Sequence, residues 1–423
     1  MSWTKTAISE FLFERKGKYK PQDEDIQGLQ RVEKIDFKGN FYIGDKASKT
    51  NMILVKNGDL VISGINIAKG AMCIYTGEKD VVATIHYSSY TFDENKINVN
   101  YFKRFLKSPE FIKLISEQVK GGIKTEIKPK HILPLEINLP DIDTQNVIVS
   151  NFEKLDDDMT TLDGEVEYQQ NMLTKLKQSI LQEAIEGKLT SKWREQNQDI
   201  EPASVLLEKI KAEKEHLIKE NKIKKSKPLA EISEDEIPFE IPSNWKWTHL
   251  DKVSINRDGD RIPVSQAERE RKDKIYDYYG ASGVIDKIDG FTHNGDFLLI
   301  GEDGANLVAR STPIAFIASG KFWVNNHAHV LEFNNDTLLN YIKYYINAID
   351  LKPYITGGFQ PKLSQTNLNK IKVSLPPIEE QKEVINQIEK LFAICDELEE
   401  QINSSKQNTQ TLMQAVLKEA FER

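Results

Sequence analysis

LPDIDTQNVIVSNFEKLDDDMTTLDGEVEYQQNMLTKLKQSILQEAIEG, residues 139–187, returns without a gap as LPPIEEQKEVINQIEKLFAICDELEEQINSSKQNTQTLMQAVLKEAFER, residues 375–423. At this constant offset of 236, 14 of the 49 aligned positions are identical, against roughly three expected from average composition. Leu139-Pro140, Ile142 and Gln145 fall on Leu375-Pro376, Ile378 and Gln381. Leu176, Gln178, Leu181, Glu183 and Ala184 fall on Leu412, Gln414, Leu417, Glu419 and Ala420. Upstream, the same offset pairs Gly121-Gly122 with Gly357-Gly358. An offset of 237 pairs Asn57-Gly58-Asp59 and Gly64 with Asn294-Gly295-Asp296 and Gly301. The chain therefore reads as two half-molecules in tandem. Between these anchors the halves share almost nothing, so one scaffold carries two different surfaces. The plainer alternative is an old duplication without functional meaning.

Within the repeated block, Phe152, Leu155, Met159, Leu162, Val166, Gln169, Leu173, Leu176 and Ile180 alternate steps of three and four residues. This heptad seam predicts a long helix packed on a partner of its own kind. The second copy keeps the register at Ile388, Leu391, Cys395, Leu398, Ile402, Ser405, Thr409, Leu412 and Val416. Pro140 and Pro376-Pro377 sit where a proline can open a helix, with Glu379 and Glu380 complementing the dipole of the first turn. Such helices reach about 65 Å. An antiparallel pair within one chain fits best, because polar Gln169, Ser405 and Thr409 weaken a self-sufficient seam; homodimerisation is the alternative.

At 423 residues the chain suggests two to four domains. Its 39% hydrophobic and 9% aromatic content is that of an ordinary globular protein. Cys73 and Cys395 are the only cysteines, which excludes a disulfide framework, and Cys395 falls on the seam as a packing residue. No apolar run approaches 18 residues and no signal peptide opens the sequence, so a soluble, cytoplasmic protein without a membrane partner is expected. The net charge of -8 hides a segregation. Residues 1–138 carry 22 basic and 17 acidic side chains, and residues 241–374 carry 16 and 15. Residues 139–240 carry 14 and 23, and residues 375–423 carry 5 and 10. A polyanion is accordingly expected on the variable blocks and repelled from the helices.

These blocks give an α/β, or α+β, protein of two variable domains joined by two long antiparallel coiled-coil-like helices. The expected boundaries are 1–138 and 241–374 for the variable domains, 139–187 and 375–423 for the helices, and 188–240 for a connection. Short strands are expected at 52–55, 59–63 and 81–85, and at 297–300, 314–318 and 328–333. A helix near 101–118 or 338–349 follows each set, then a Gly-Gly loop. Residues 202–225 predict an exposed amphipathic helix. The basic run 222–227 and the acidic run 231–236 then read as a solvated linker.

The two Leu-Pro-x-Ile-x-x-Gln helix starts, SILQEAIEGKLT at 179–190, EPAS at 201–204 before LLEKI at 206–210, and IPSNWKW at 241–247 make the chain similar to the specificity subunits of type I restriction-modification systems. The resemblance covers essentially the whole chain; each motif is weak, but their order and spacing together are specific. It implies two target-recognition domains, each reading half of a split, asymmetric sequence in double-stranded DNA. It also implies helices that fix the gap and dock two modification subunits. Those subunits would carry S-adenosylmethionine and methylate adenine, and restriction subunits would supply translocation driven by ATP and Mg. This chain would bind none of these cofactors and catalyse nothing. Consistent with that, no Asn/Asp-Pro-Pro-Tyr/Phe run or phosphate loop occurs, and Gly301-Glu302-Asp303-Gly304 matches no dinucleotide fingerprint. The alternatives are a self-contained enzyme, a coiled-coil adaptor that reads no DNA, and the specificity subunit of a methylation-only system.

Base reading needs planar or bidentate side chains between loops that hold phosphate. In the second block the candidates are Tyr279, Ser282, Asp303, Asn306, Arg310, Asn325, Asn326, His327, Gln360 and Lys362. In the first they are Asn66, Lys69, His86, Ser88, Lys120, Lys124, Lys128 and Lys130, with the lysines on phosphate. Asn325 and Asn326 read equally as strand-end caps, and 120–130 as a solvated loop. His327 and His329 flank Ala328, but two ligands do not make a metal site. Trp3, Trp245 and Trp247 are expected as core anchors.

Overall fold

Each Leu-Pro of the repeat ends a strand rather than opening a helix. Residues Glu136–Pro140 and Lys372–Leu375 are extended, and the helices begin at Ile142 and Ile378. The glutamine of the motif explains the corner. Gln145 and Gln381 are wholly buried, and their Nε2 atoms donate to the carbonyls of Pro140 and Pro376 at 2.8 and 2.9 Å. A side chain from the first helical turn thus satisfies the carbonyl at which the strand stops.

The computed structural model describes residues 3–46, 48–118 and 127–421. Two compact units divide the chain: unit 1 is Met1–Glu167 with Ile402–Arg423, and unit 2 is Tyr168–Gln401. In unit 1 the strands are β1 (Trp3–Ala7), β2 (Leu12–Glu14), β3 (Arg31–Ile35), β4 (Phe41–Gly44), β5 (Met52–Val55), β6 (Leu60–Ser63), β7 (Met72–Ile74), β8 (Val81–Thr84), β9 (Tyr87–Phe92) and β10 (Glu136–Pro140). In unit 2 they are β11 (Lys246–His249), β12 (Ile255–Asn256), β13 (Tyr276–Gly280), β14 (Gly283–Ile288), β15 (His293–Asn294), β16 (Phe297–Gly301), β17 (Ala315–Ala318), β18 (Lys321–Val324), β19 (Ala328–Glu332) and β20 (Lys372–Leu375).

The two sets have one topology. Unit 1 holds the sheets β4-β3-β8-β5 and β2-β9-β6-β7 and the pair β1-β10. Unit 2 holds β14-β13-β18-β15, β12-β19-β16-β17 and β11-β20. Even the parallel pairing of β3 with β8 recurs as β13 with β18 in otherwise antiparallel sheets. The duplication therefore extends through the blocks whose sequences diverge. All six expected strands are present to within a residue or two. The helix expected over 101–118 is two helices, Val99–Phe105 and Pro109–Gln118, because Pro109 has no N–H to continue the ladder.

The long helices, Ile142–Ile185 and Ile378–Phe421, are 44 residues each, and each unit takes the start of one and the end of the other. In unit 1, Phe421 stacks on Phe152 at 6.2 Å and meets Tyr101 and Phe105 at 5.3 and 5.9 Å. In unit 2, Lys177 Nζ reaches Asp396 and Glu399 at 2.8 and 3.0 Å, while Ser374 Oγ donates to the Ile185 carbonyl at 2.7 Å. Within each unit the two helices therefore run in opposite directions. The seam departs from the strict heptad: Leu176, Leu398 and Leu412 are exposed, whereas Leu181, Ala184 and Ile185 are buried. The first helix packs on the sheet-bearing body of unit 2 as well as on its partner helix, and that widens its buried stripe beyond an a/d seam.

The connecting helix, Ala203–Lys219, is anchored rather than free. Ile210 is buried, and Lys214 Nζ donates to the carbonyls of Asp251 and Ser254. Glu380 does more than complement a helix dipole: it is fully buried, and its carboxylate accepts from Thr190, Arg194 and Asn244. This contact joins the Lys-Leu-Thr at 188–190 to the second Leu-Pro-x-Ile-x-x-Gln start. Trp245 is buried edge-on to Tyr341, and Trp3 lies opposite Pro140 at the edge of β1.

Candidate nucleic-acid interface

In both units three loops distant in sequence are tied by the same pair of backbone hydrogen bonds. In unit 1, Gly64 N–H donates to the His86 carbonyl and Ile127 N–H to the Gly64 carbonyl, both at 2.9 Å. In unit 2, Glu302 N–H donates to the His327 carbonyl and Leu363 N–H to the Glu302 carbonyl, both at 2.8 Å. The loop after β6 or β16 thus meets the turn between β8 and β9, or β18 and β19, and the segment that precedes β10 or β20. Loop side chains held by ladder bonds on a rigid sheet are suited to recognition.

The unit 2 junction is built on a buried network. His329, 1% exposed, has Nδ1 at 2.6 Å from Asp258 Oδ2 and Nε2 at 2.7 Å from the Leu363 carbonyl. Both partners are acceptors, so both bonds form only when both ring nitrogens carry protons. Arg261 Nη1 donates to Glu302 at 2.6 Å and to the Ala328 carbonyl at 2.7 Å, and Lys362 Nζ lies 3.1 Å from Glu302. Burial pushes the Asp258 carboxyl up, but His329 and Arg261 outweigh it and hold it below its ordinary range. Burial opposes ionisation of Glu302 too, and Arg261, His329 and Lys362 lower it. Closer to the surface, His327 Nδ1 lies 2.8 Å from Asp303 Oδ2, and the backbones of Asp303 and Lys362 pair as an isolated antiparallel β-bridge.

The structure brings Asp303, Asn325, Asn326, His327, Gln360 and Lys362 to this junction. Asn325 is buried, and its Oδ1 accepts from His327 N–H at 2.8 Å, so it shapes the turn, while Asn326, His327, Gln360 and Lys362 are exposed. Ser282 is exposed at the tip of the β13-β14 hairpin. The adjoining Ala281 carbonyl packs so close to Gly301 that a Cβ there would meet it at 2.8 Å. Three candidates have other surroundings. Tyr279 packs against Phe316 and Phe322, with centroids 6.0 and 5.5 Å apart. Arg310 donates to the carbonyls of Ile346 and Ile349, and Asn306 Nδ2 donates to Thr312.

In unit 1, Asn66, Lys69 and His86 lie at the junction, Ser88 on β9, and Lys128 and Lys130 are exposed just beyond Ile127. Lys120 and Lys124 lie outside the described residues. The turn ends at Gly70, whose φ of +88° suits glycine and where a Cβ would meet Lys107 at 2.6 Å. Lys69 Nζ sits 5.5 Å from the Phe37 ring centroid. Burial lowers the ammonium pKa of Lys107, and Lys103 and Arg104 lower it further. Burial likewise lowers Lys103. These crowded cations beside the turn are suited to phosphate. Sequence reading missed them, although Lys103, Arg104 and Lys107 make a basic face at helical spacing. It missed Arg261 and Asp258 as well, since Glu302 and His329, which they meet, lie 41 and 71 residues away. Among the described residues no group of three His, Cys, Asp or Glu is placed to hold a metal, and no helix is long and apolar enough to cross a membrane.

Residues 242–405 match the family model for the type I restriction modification DNA specificity domain. The type I restriction enzyme EcoEI specificity subunit of Escherichia coli is 25% identical over 413 residues, covering 82% of this chain and 68% of that protein. The fold is shared with the HsdS subunit from Thermoanaerobacter tengcongensis, at a TM-score of 0.54 and 15% identity, over 99% of this chain and 96% of that one. It is also shared with a chain from a structure of type I restriction-modification assembly and conformational transition, at a TM-score of 0.59 and 13% identity, over 99% and 97%. The motifs, the specificity-domain match over residues 242–405 and the likeness to the EcoEI subunit make the chain similar to the specificity subunits of type I restriction-modification systems.

Proposed function

We propose that each unit reads one half of a split, asymmetric target in double-stranded DNA, and that the chain itself catalyses nothing. The observation that carries this is the twice-built junction: one backbone arrangement presents His327, Asn326, Gln360 and Lys362 in unit 2, and Asn66, Lys69, His86 and Lys128 in unit 1. Identical framing with different side chains is what reading two unlike half-sites requires. The acidic long helices are shared covalently by both units, so we assign them the setting of the gap and the docking of two methyltransferase subunits. Restriction subunits complete the assembly. S-adenosylmethionine, ATP and Mg belong to those partners, and the complex works in the cytoplasm. The neighbour of like fold was solved in work on assembly of a type I restriction-modification system, which supports partners drawn from such a system.

The test is co-expression with the neighbouring methyltransferase gene in a methyl-free host, with methylated adenines mapped across the genome. A split motif of fixed gap that needs both proteins is the expected result. Methylation by the partner alone, indifferent to this chain, overturns the reading.

A further inference from the structure

We infer that Phe359 is a wedge that enters the DNA between neighbouring base pairs beside the unit 2 junction; the inference rests on the DNA-reading role proposed above. Phe359 is fully exposed. A lone exposed apolar side chain is ordinary on a protein surface; what sets Phe359 apart is how its loop is braced. Thr356 and Lys362 close the loop reciprocally, Thr356 N–H donating to the Lys362 carbonyl at 2.9 Å and Lys362 N–H to the Thr356 carbonyl at 2.7 Å. Gly357, at φ +84°, turns so tightly that a Cβ would lie 2.5 Å from the Gln360 carbonyl. Pro361 stiffens the return strand, and its carbonyl accepts from Gly304 N–H at 3.1 Å, which pins the loop to the junction.

The ring is thus carried at the tip of a braced loop whose base holds Lys362 and touches the Asp303–His327 pair. Phosphate-binding and base-edge groups lie at its foot, and an apolar plane stands at its tip. Apolar side chains so placed part a base step, and the unstacking is offset by closer contact of the flanking polar groups with the duplex. A ring that served only folding would be turned inward, as Phe322 and Phe297 are at their mutual 5.8 Å contact. In sequence, Gly121-Gly122-Ile123 occupies the corresponding place in the first half. That stretch lies outside the described residues, and the inference is confined to Phe359.

The experiment uses the full chain assembled with its methyltransferase partner. The duplexes carry the mapped target with 2-aminopurine at successive positions of the unit 2 half-site, excluding the methylated adenine. Wild type is expected to brighten 2-aminopurine severalfold at one step, Phe359→Ser to abolish the rise, and Phe359→Trp to keep it. Because the side chain touches no core, Phe359→Ser should melt as wild type does. Three outcomes overturn the wedge: no brightened step in wild type while site-specific methylation persists, brightening unchanged by Phe359→Ser, or Phe359→Ser weakening capture of the methyltransferase without DNA. The first leaves the DNA-reading role standing. Failure of that role shows separately, as methylation that ignores this chain.

Discussion

At Lys107, burial and two neighbouring cations act in the same direction, and bound phosphate would relieve both. Lys107→Ala is expected to weaken binding to any DNA sequence alike and to reduce the slope of log affinity against log salt by about 1. A loss confined to the cognate sequence would contradict a phosphate role. The unit 2 network predicts a different response. Asp258 and Glu302 are held below their ordinary values of 3.8 and 4.5, so their ionised forms stabilise the fold above those values. That contribution is lost as pH falls through the lower folded values. Thermal melts of wild type are expected to fall as pH drops from about 5 to about 3. Asp258→Asn should start lower and fall less, whereas a parallel decline would remove Asp258 from the account. Neither carboxylate was legible as a network member, because Asp258 meets His329 across 71 residues and Glu302 meets Arg261 across 41. Asn326 and His327 were legible, since turn residues between two apolar strands announce a loop. Tyr279 had the composition of a recognition residue, but the alternation of β13 turns its ring toward Phe316 and Phe322, and composition does not report facing.

The strand-to-helix corner is the element most plainly written in the sequence, though its chemistry was not. The motif Leu-Pro-x-Ile-x-x-Gln repeats because the glutamine satisfies the proline carbonyl, a bond that only coordinates display. Gln145→Ala and Gln381→Ala each leave that buried carbonyl unsatisfied, with an expected loss of about 1–3 kcal/mol. Denaturant melts of the two variants test this, and a change near zero in both would deny the motif a structural role. The long helices were legible from their period. Their exposed Leu176, Leu398 and Leu412 were not, because a heptad template assumes one packing partner and these helices have more than one. The shared sheet topology was hidden almost entirely. Backbone bonds, which leave no mark in side-chain identity, carry the pairing, while the surfaces had diverged.

For the molecule as a whole, two units with one topology and unlike surfaces predict modular reading. Exchanging residues 1–138 for another recognition domain is expected to alter one half-site and leave the other, as read by methylation mapping; a change in both would end the modular account. Inserting a four-residue helical step after Thr160 is expected to lengthen the gap while both half-sites persist, and an unchanged gap would remove the helices as its determinant.

The aromatic cluster of Phe152, Tyr101, Phe105 and Phe421 has a further consequence, for the order in which the chain emerges from the ribosome. Unit 2 is one continuous stretch, complete once Gln401 has been made, whereas unit 1 needs the end of the second long helix, made after it. The first half of the protein therefore waits, with part of its aromatic core uncovered, until Phe421 arrives. A ribosome that stops short of that residue releases a chain whose later-made unit is whole and whose first-made unit is not.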